Sequence, residues 1–69
     1  MKPCIVVELS EGNGLSIVTH EGRKICAGTN PIALAARELI ARGYSPRLQL
    51  VVRDGDGDHE VGALRGLAQ

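Results

Sequence analysis

Residues 31–43 read Pro-Ile-Ala-Leu-Ala-Ala-Arg-Glu-Leu-Ile-Ala-Arg-Gly, with Thr29 and Asn30 just ahead of them. This stretch carries the punctuation of a single helix. Asn30 is placed to cap the free N–H groups of a first turn, and Pro31 fits the first helical position, where its missing N–H costs nothing. Gly43 suits the left-handed conformation that stops a helix, and Pro46 forbids an early restart. The segments on either side alternate as strands do. One well-bounded helix among strands commits the chain to a small α+β fold.

Cys4 to Leu9 places Ile5, Val7 and Leu9 on one side and Cys4, Val6 and Glu8 on the other. Residues 10–14, Ser-Glu-Gly-Asn-Gly, form a turn in which Asn13-Gly14 is a strong hairpin signal. Leu15 to His20 is a second strand, rich in β-branched residues, and Glu21-Gly22 reverses the chain into a short third one, Arg23 to Ala27. A two-residue turn there pairs Ile17 with Cys26 and brings Cys26 to the core side; one more residue pairs Val18 with Cys26. The tighter pairing is the expectation. Arg47 to Arg53 is a further strand, with Leu48, Leu50 and Val52 inward and Arg47, Gln49, Val51 and Arg53 outward. The predicted order is β-β-β-α-β, with a mostly antiparallel sheet in the order 3-2-1-4. The last strand runs parallel to the first through a right-handed crossover, and the helix covers one face. The other face, holding Val6, Glu8, Gln49 and Val51, is left open.

At 100° per residue, Ile32, Ala35, Ala36, Leu39 and Gly43 gather on the buried face of the helix, with Ile40 and Ala33 at its margin. Arg37, Glu38 and Arg42 point away, with Leu34 and Ala41 on the same outer side. Residues 54–58, Asp-Gly-Asp-Gly-Asp, read as a loop. In the tail, Val61, Leu64, Leu67 and Ala68 have near-helical spacing, which Gly62 and Gly66 weaken, so both a short helix and an edge strand remain open.

A chain of 69 residues makes one domain, and without Phe or Trp its core must come from Ile, Val, Leu and Ala. No apolar run approaches the ~20 residues of a membrane span. No signal-peptide pattern precedes Cys4 and Cys26, so reduced thiols in a cytoplasm are expected. The formal charge is zero but unevenly spread. Residues 1–30 balance Lys2, Arg23 and Lys24 against Glu8, Glu11 and Glu21. Residues 31–53 set Arg37, Arg42, Arg47 and Arg53 against Glu38, and residues 54–69 set Asp54, Asp56, Asp58 and Glu60 against Arg65.

No motif for catalysis, metal or cofactor accompanies this layout. Asp54, Asp56 and Asp58 alternate as calcium ligands do, but His59 and Arg65 stand where an EF-hand loop needs Gly and Glu. Cys4, Cys26, His20 and His59 lack zinc-ligand spacing. Ser10, Ser16 and Ser45 lack a nucleophile-elbow setting, and neither cysteine has a base beside it in sequence. No enzyme, no metal and no cofactor is the resulting expectation.

Glu21-Gly22-Arg23, Gly28-Thr29-Asn30-Pro31, Ala35-Ala36-Arg37-Glu38-Leu39, Gly43-Tyr44-Ser45-Pro46 and Leu48 together resemble a group of small bacteriophage and prophage proteins. These share a hairpin, an Ala-rich helix begun by Gly-Thr-x-Pro, a strand and a short apolar tail. The resemblance spans residues 15–67 and transfers no catalytic residues. It implies a phage or mobile-element origin and action by binding a host protein or complex; anti-CRISPR inhibitors are similar in size and layout. The expected contact residues are Asp54, Asp56, Asp58 and Glu60, which could imitate phosphates against an arginine-lined channel, with Leu34 and Arg37 on the helix. Two other readings stand beside this one. A nucleic-acid module would use the arginines of residues 37–53, and a structural homodimer or virion accessory would bury the open face or pair an edge strand.

Overall fold

The computed structural model describes residues 3–69; Lys2 lies outside them. The elements run β1 (Cys4–Gly12), β2 (Leu15–His20), β3 (Arg23–Gly28), α1 (Pro31–Ala41), β4 (Gln49–Asp54), β5 (Gly57–Ala63) and α2 (Leu64–Leu67). The sheet order is β3-β2-β1-β4-β5, so the expected order is kept and one strand is added. The sheet is mixed rather than mostly antiparallel. β1 and β4 run parallel at its centre, Val6 beside Val51, and the outer strands pair antiparallel.

Two hairpins owe their form to residues that tolerate positive φ. Asn13 and Gly14 (φ 54° and 78°) form the β1–β2 turn, which is tighter than the five residues expected, so β1 extends to Gly12. Glu21 and Gly22 (φ 53° and 80°) make the β2–β3 turn. That turn has two residues, as the sequence suggests, yet Cys26 pairs with Val18 instead of Ile17. A bulge explains the difference: Ile25 is the extra residue on β3, and it is buried among the core side chains. Cys26 is half-buried at the margin of that core.

The core is a sandwich between one sheet face and the two helices. Ile5, Val7, Val18, Ile25, Leu50 and Val52 meet Ala35, Ala36, Leu39 and Leu64, with Leu39, Leu50 and Leu64 fully buried. Ala33 is buried as well, not marginal. Leu34 is half-buried, because β3 ends beneath it at Gly28. A Cβ on Gly28 would lie 2.6 Å from Leu34 Cδ1. The helix ends at Ala41, two residues before the expected Gly43. Gly43 (φ 98°) donates to Ile40 O and Tyr44 donates to Leu39 O, closing a Schellman cap one residue beyond Arg42. At the other end Asn30 occupies the cap position but its side chain makes no capping bond.

β4 starts at Gln49 rather than Arg47, since Ser45 to Leu48 fold into a turn in which Leu48 N donates to Ser45 O. The segment read as an acidic loop is a tight hairpin. Asp54 Oδ1 accepts from Asp56 N at 2.8 Å, only Gly55 and Asp56 are in the turn, and β5 begins at Gly57 (φ 118°). The tail is both of the forms left open: strand to Ala63, then one helical turn. That turn is docked by Leu64 N to Leu48 O and Arg65 N to Pro46 O. Among the described residues no helix is long and apolar enough to cross a membrane.

Candidate functional site

Both helices lie on one side of the sheet, so the opposite face is uncovered. The alternation within each strand and the pairing between strands put Cys4, Val6, Glu8 and Ser10 of β1 on that face. Beside them stand Leu15, Ile17 and Thr19 of β2 and Gln49, Val51 and Arg53 of β4. Lys24 and Ala27 extend it on β3, and Asp58, Glu60 and Ala63 on β5. One row crosses the whole sheet as Lys24, Thr19, Glu8, Arg53, Asp58. Apolar side chains flank it: Val6 and Val51 on one side, Ile17 and Leu15 on the other, with Leu15 the most exposed large hydrophobic at 42%.

Arg53 donates to Asp58 through two bonds, Nε to Oδ1 at 2.8 Å and Nη2 to Oδ2 at 3.2 Å. This hydrogen bonding holds the Asp58 carboxyl below the ordinary carboxylate range and raises Arg53. Of the expected contact residues, the hairpin therefore keeps Asp58 engaged with Arg53. Asp54 accepts from Asp56 N and lies 3.3 Å from His59 Nε2. Among the described residues Asp56 and Glu60 make no ion pair. Leu34 and Arg37 belong to a different surface. Leu34 rests on the end of β3, and Arg37 Nε donates to Ala68 O at 2.8 Å, tying α1 to the tail. The four acidic residues thus share one hairpin, with Asp58 and Glu60 on its uncovered face, Asp56 in the turn and Asp54 beside His59 on the other face, while the two helix residues sit on the covered side of the sheet.

The arginines of residues 37–53 do not form one stripe. Arg37 and Arg42 are on α1, where Arg42 pairs with Glu38 at 2.9 Å, while Arg53 is on the uncovered sheet face. The chain's electrical polarity is nevertheless spatial. β4 and β1 carry Asp54, Asp56 and Glu11 to one end of the sheet. The β2–β3 turn, the end of α1 and the α1–β4 connection carry Arg23, Arg42 and Arg47 to the other.

That basic end holds two adjoining hollows, of about 400 and about 420 Å³, both lined by His20, Glu21 and Tyr44. Cys4, Ile5, Val6 and Leu48 complete the first; Arg23, Ile25 and Arg42 complete the second. The rings of His20 and Tyr44 meet edge-on, with centroids 5.8 Å apart and planes at 82°. In the sequence, His20 stands out only as a histidine without zinc-ligand spacing. The signal for this site was available in the lone Tyr44 beside the helix stop, but only the fold brings it to His20. No cluster of three or more metal-ligating side chains occurs among the described residues. Cys4 and Cys26 are free thiols on opposite faces of the sheet, two strands apart, which no disulfide spans.

No protein-family model, curated protein or solved structure matches the chain.

Proposed function

We propose that this chain is a non-enzymatic binding protein of phage or mobile-element origin that engages a host protein through its uncovered sheet face and the acidic β4–β5 hairpin beside it. The observation that carries this reading is the uncovered face itself. Three of the strands present Val6, Ile17, Val51 and Leu15 around a charged row; Leu15 is exposed, the other three are half-buried, and among the described residues no helix or strand lies over them. A continuous apolar and charged face of this kind suits partner docking. Its acidic margin favours a partner with a basic surface. The sharpest form is an inhibitor that occupies the nucleic-acid channel of a host defence complex of CRISPR–Cas type, with Asp56 and Glu60 as the free charges.

Capture from a bacterial host lysate, followed by reconstitution with the purified captured protein, tests this. Val51→Arg should abolish the association without unfolding the chain. Asp56→Asn combined with Glu60→Gln should slow association at low salt, with the difference shrinking as salt rises. Binding that is indifferent to all three substitutions would overturn the reading.

A second copy of the chain is the other occupant with a specific observation in its favour. Turned about an axis parallel to the strands, above the boundary of β1 and β4, the charged row sets Glu8 against the second copy's Arg53. Face packing suits a dimer better than edge pairing, because both edge strands carry a bulge, at Ile25 and at Val61. Light scattering at about 100 µM, where micromolar self-association is saturated, separates the two occupants. The nucleic-acid reading has less support, given the dispersal of Arg37, Arg42 and Arg53.

A further inference from the structure

The core of this chain contains no aromatic ring, and the chain has no Phe or Trp with which to build one. Its single Tyr is left 37% exposed, standing edge-on to His20 at the lip of two hollows. Core packing does not account for that placement. The backbone of Tyr44 is held in the Schellman cap by its bond to Leu39 O, so the ring is presented from a fixed support. The second hollow adds Arg23 from the β2–β3 turn and Arg42 from the end of α1. Arg42 Nε donates to Glu38, which orients the guanidinium and leaves its terminal N–H groups for another acceptor. The negative end of the α1 dipole points here, but the Leu39 and Ile40 carbonyls are already bonded by Tyr44 and Gly43 N–H.

We propose that this hollow binds a nucleoside monophosphate, its base stacked on the Tyr44 ring with the His20 ring standing at right angles beside it, and its phosphate held by Arg23 and Arg42. The chemistry matches each part. A planar base stacks on an aromatic face, and a guanidinium fork recognises phosphate. A volume of about 420 Å³ falls in the range of small-ligand sites. Glu21 on the same rim repels a bare anion but accepts from an exocyclic amino group, so it selects AMP over UMP. The residues are distinct from the sheet face, and the site stands or falls apart from the protein-binding reading.

Titration of the purified chain with AMP, UMP, adenosine and inorganic phosphate, read by calorimetry and amide chemical shifts, tests this. AMP should bind saturably and more tightly than either phosphate or adenosine alone. Arg23→Gln with Arg42→Gln should weaken AMP by about tenfold or more. Tyr44→Leu should reduce AMP to the level of phosphate, and Glu21→Gln should narrow the AMP-over-UMP preference. Thermal melts of each variant separate loss of binding from loss of fold. A 5′-phosphorylated oligodeoxyadenosine distinguishes the source: affinity rising with length assigns the site to a strand terminus, and affinity equal to AMP assigns it to the free nucleotide. Absence of saturation up to about 10 mM AMP, or AMP binding unchanged in the arginine and tyrosine variants, would overturn the proposal.

Discussion

At the scale of single residues, burial decides what each side chain contributes. Leu39 is fully buried at the centre of the core. Leu39→Ala should therefore cost ~2–5 kcal/mol, out of a total stability of ~3–10 kcal/mol for a domain this small. Chemical denaturation should find the variant's midpoint lowered by a large fraction of the parent's; a melt within a degree or two of the parent would mean the site collapses around the change. The two thiols should also behave differently. Burial, with Glu38 adding to it, pushes the Cys26 thiol up, whereas Cys4 is exposed. Iodoacetamide followed by mass spectrometry should modify Cys4 first and Cys26 slowly, with Cys26 catching up only at higher pH. The exposed Arg53–Asp58 pair has a small pH signature. Asp58 is depressed in the folded state, so its contribution is full above the unfolded carboxylate range and is lost as acid protonates it. Melting temperature should fall below about pH 4, and Asp58→Asn should lack that part of the slope.

Among the elements, the legible parts were those with local chemistry. Pro31 and the Gly43 stop bounded α1 to within two residues, Asn13-Gly14 marked its hairpin, and the alternation of Ile5, Val7, Leu50 and Val52 placed the core face. What escaped was set by pairing rather than by local pattern. The bulge at Ile25 moved Cys26 opposite Val18, although the turn itself had the expected length. The edge strand left open for the tail begins earlier than expected, at Gly57, because the Asp-Gly run reads as a solvated loop, whereas Asp58, His59 and Glu60 are the exposed residues of an edge strand held by β4. The acidic cluster expected to make contact was legible as a cluster of charge, but the Arg53 partnership of Asp58 needed the register, and the His20–Tyr44 pair needed the crossover. Glycines in the tail give a paired test of this element. Gly62 (φ 125°) follows the β5 bulge beneath Leu67, while Gly66 sits in α2 with open space around it. Gly62→Ala should cost ~1–3 kcal/mol, and Gly66→Ala should be neutral or stabilising by ~0.4–1 kcal/mol. Equal melts for the two variants would show that Gly62 is not held at positive φ.

For the molecule as a whole, the decisive feature is asymmetry. Among the described residues, two helices and every fully buried side chain lie on one side of a five-stranded sheet, and the other side presents a charged row between apolar flanks. Asp54, Asp56 and Glu11 lie at one end, and Arg23, Arg42 and Arg47 lie with the paired rings and Glu21 at the other. A chain so thin in core residues gains nothing in stability from keeping Val6, Ile17 and Val51 uncovered, and a partner that covers them would add apolar burial that the fold lacks. The most direct measurement is methyl-resolved NMR of the isotope-labelled chain, titrated with the purified protein that the proposed function predicts it to capture from a host lysate. The methyls of Val6, Ile17 and Val51 should shift or broaden together at stoichiometric partner, while those of Ala35 and Leu39 beneath the helices stay put. Perturbation confined to the exposed surface of α1, with the three sheet-face methyls unmoved, would contradict the uncovered face as the contact surface.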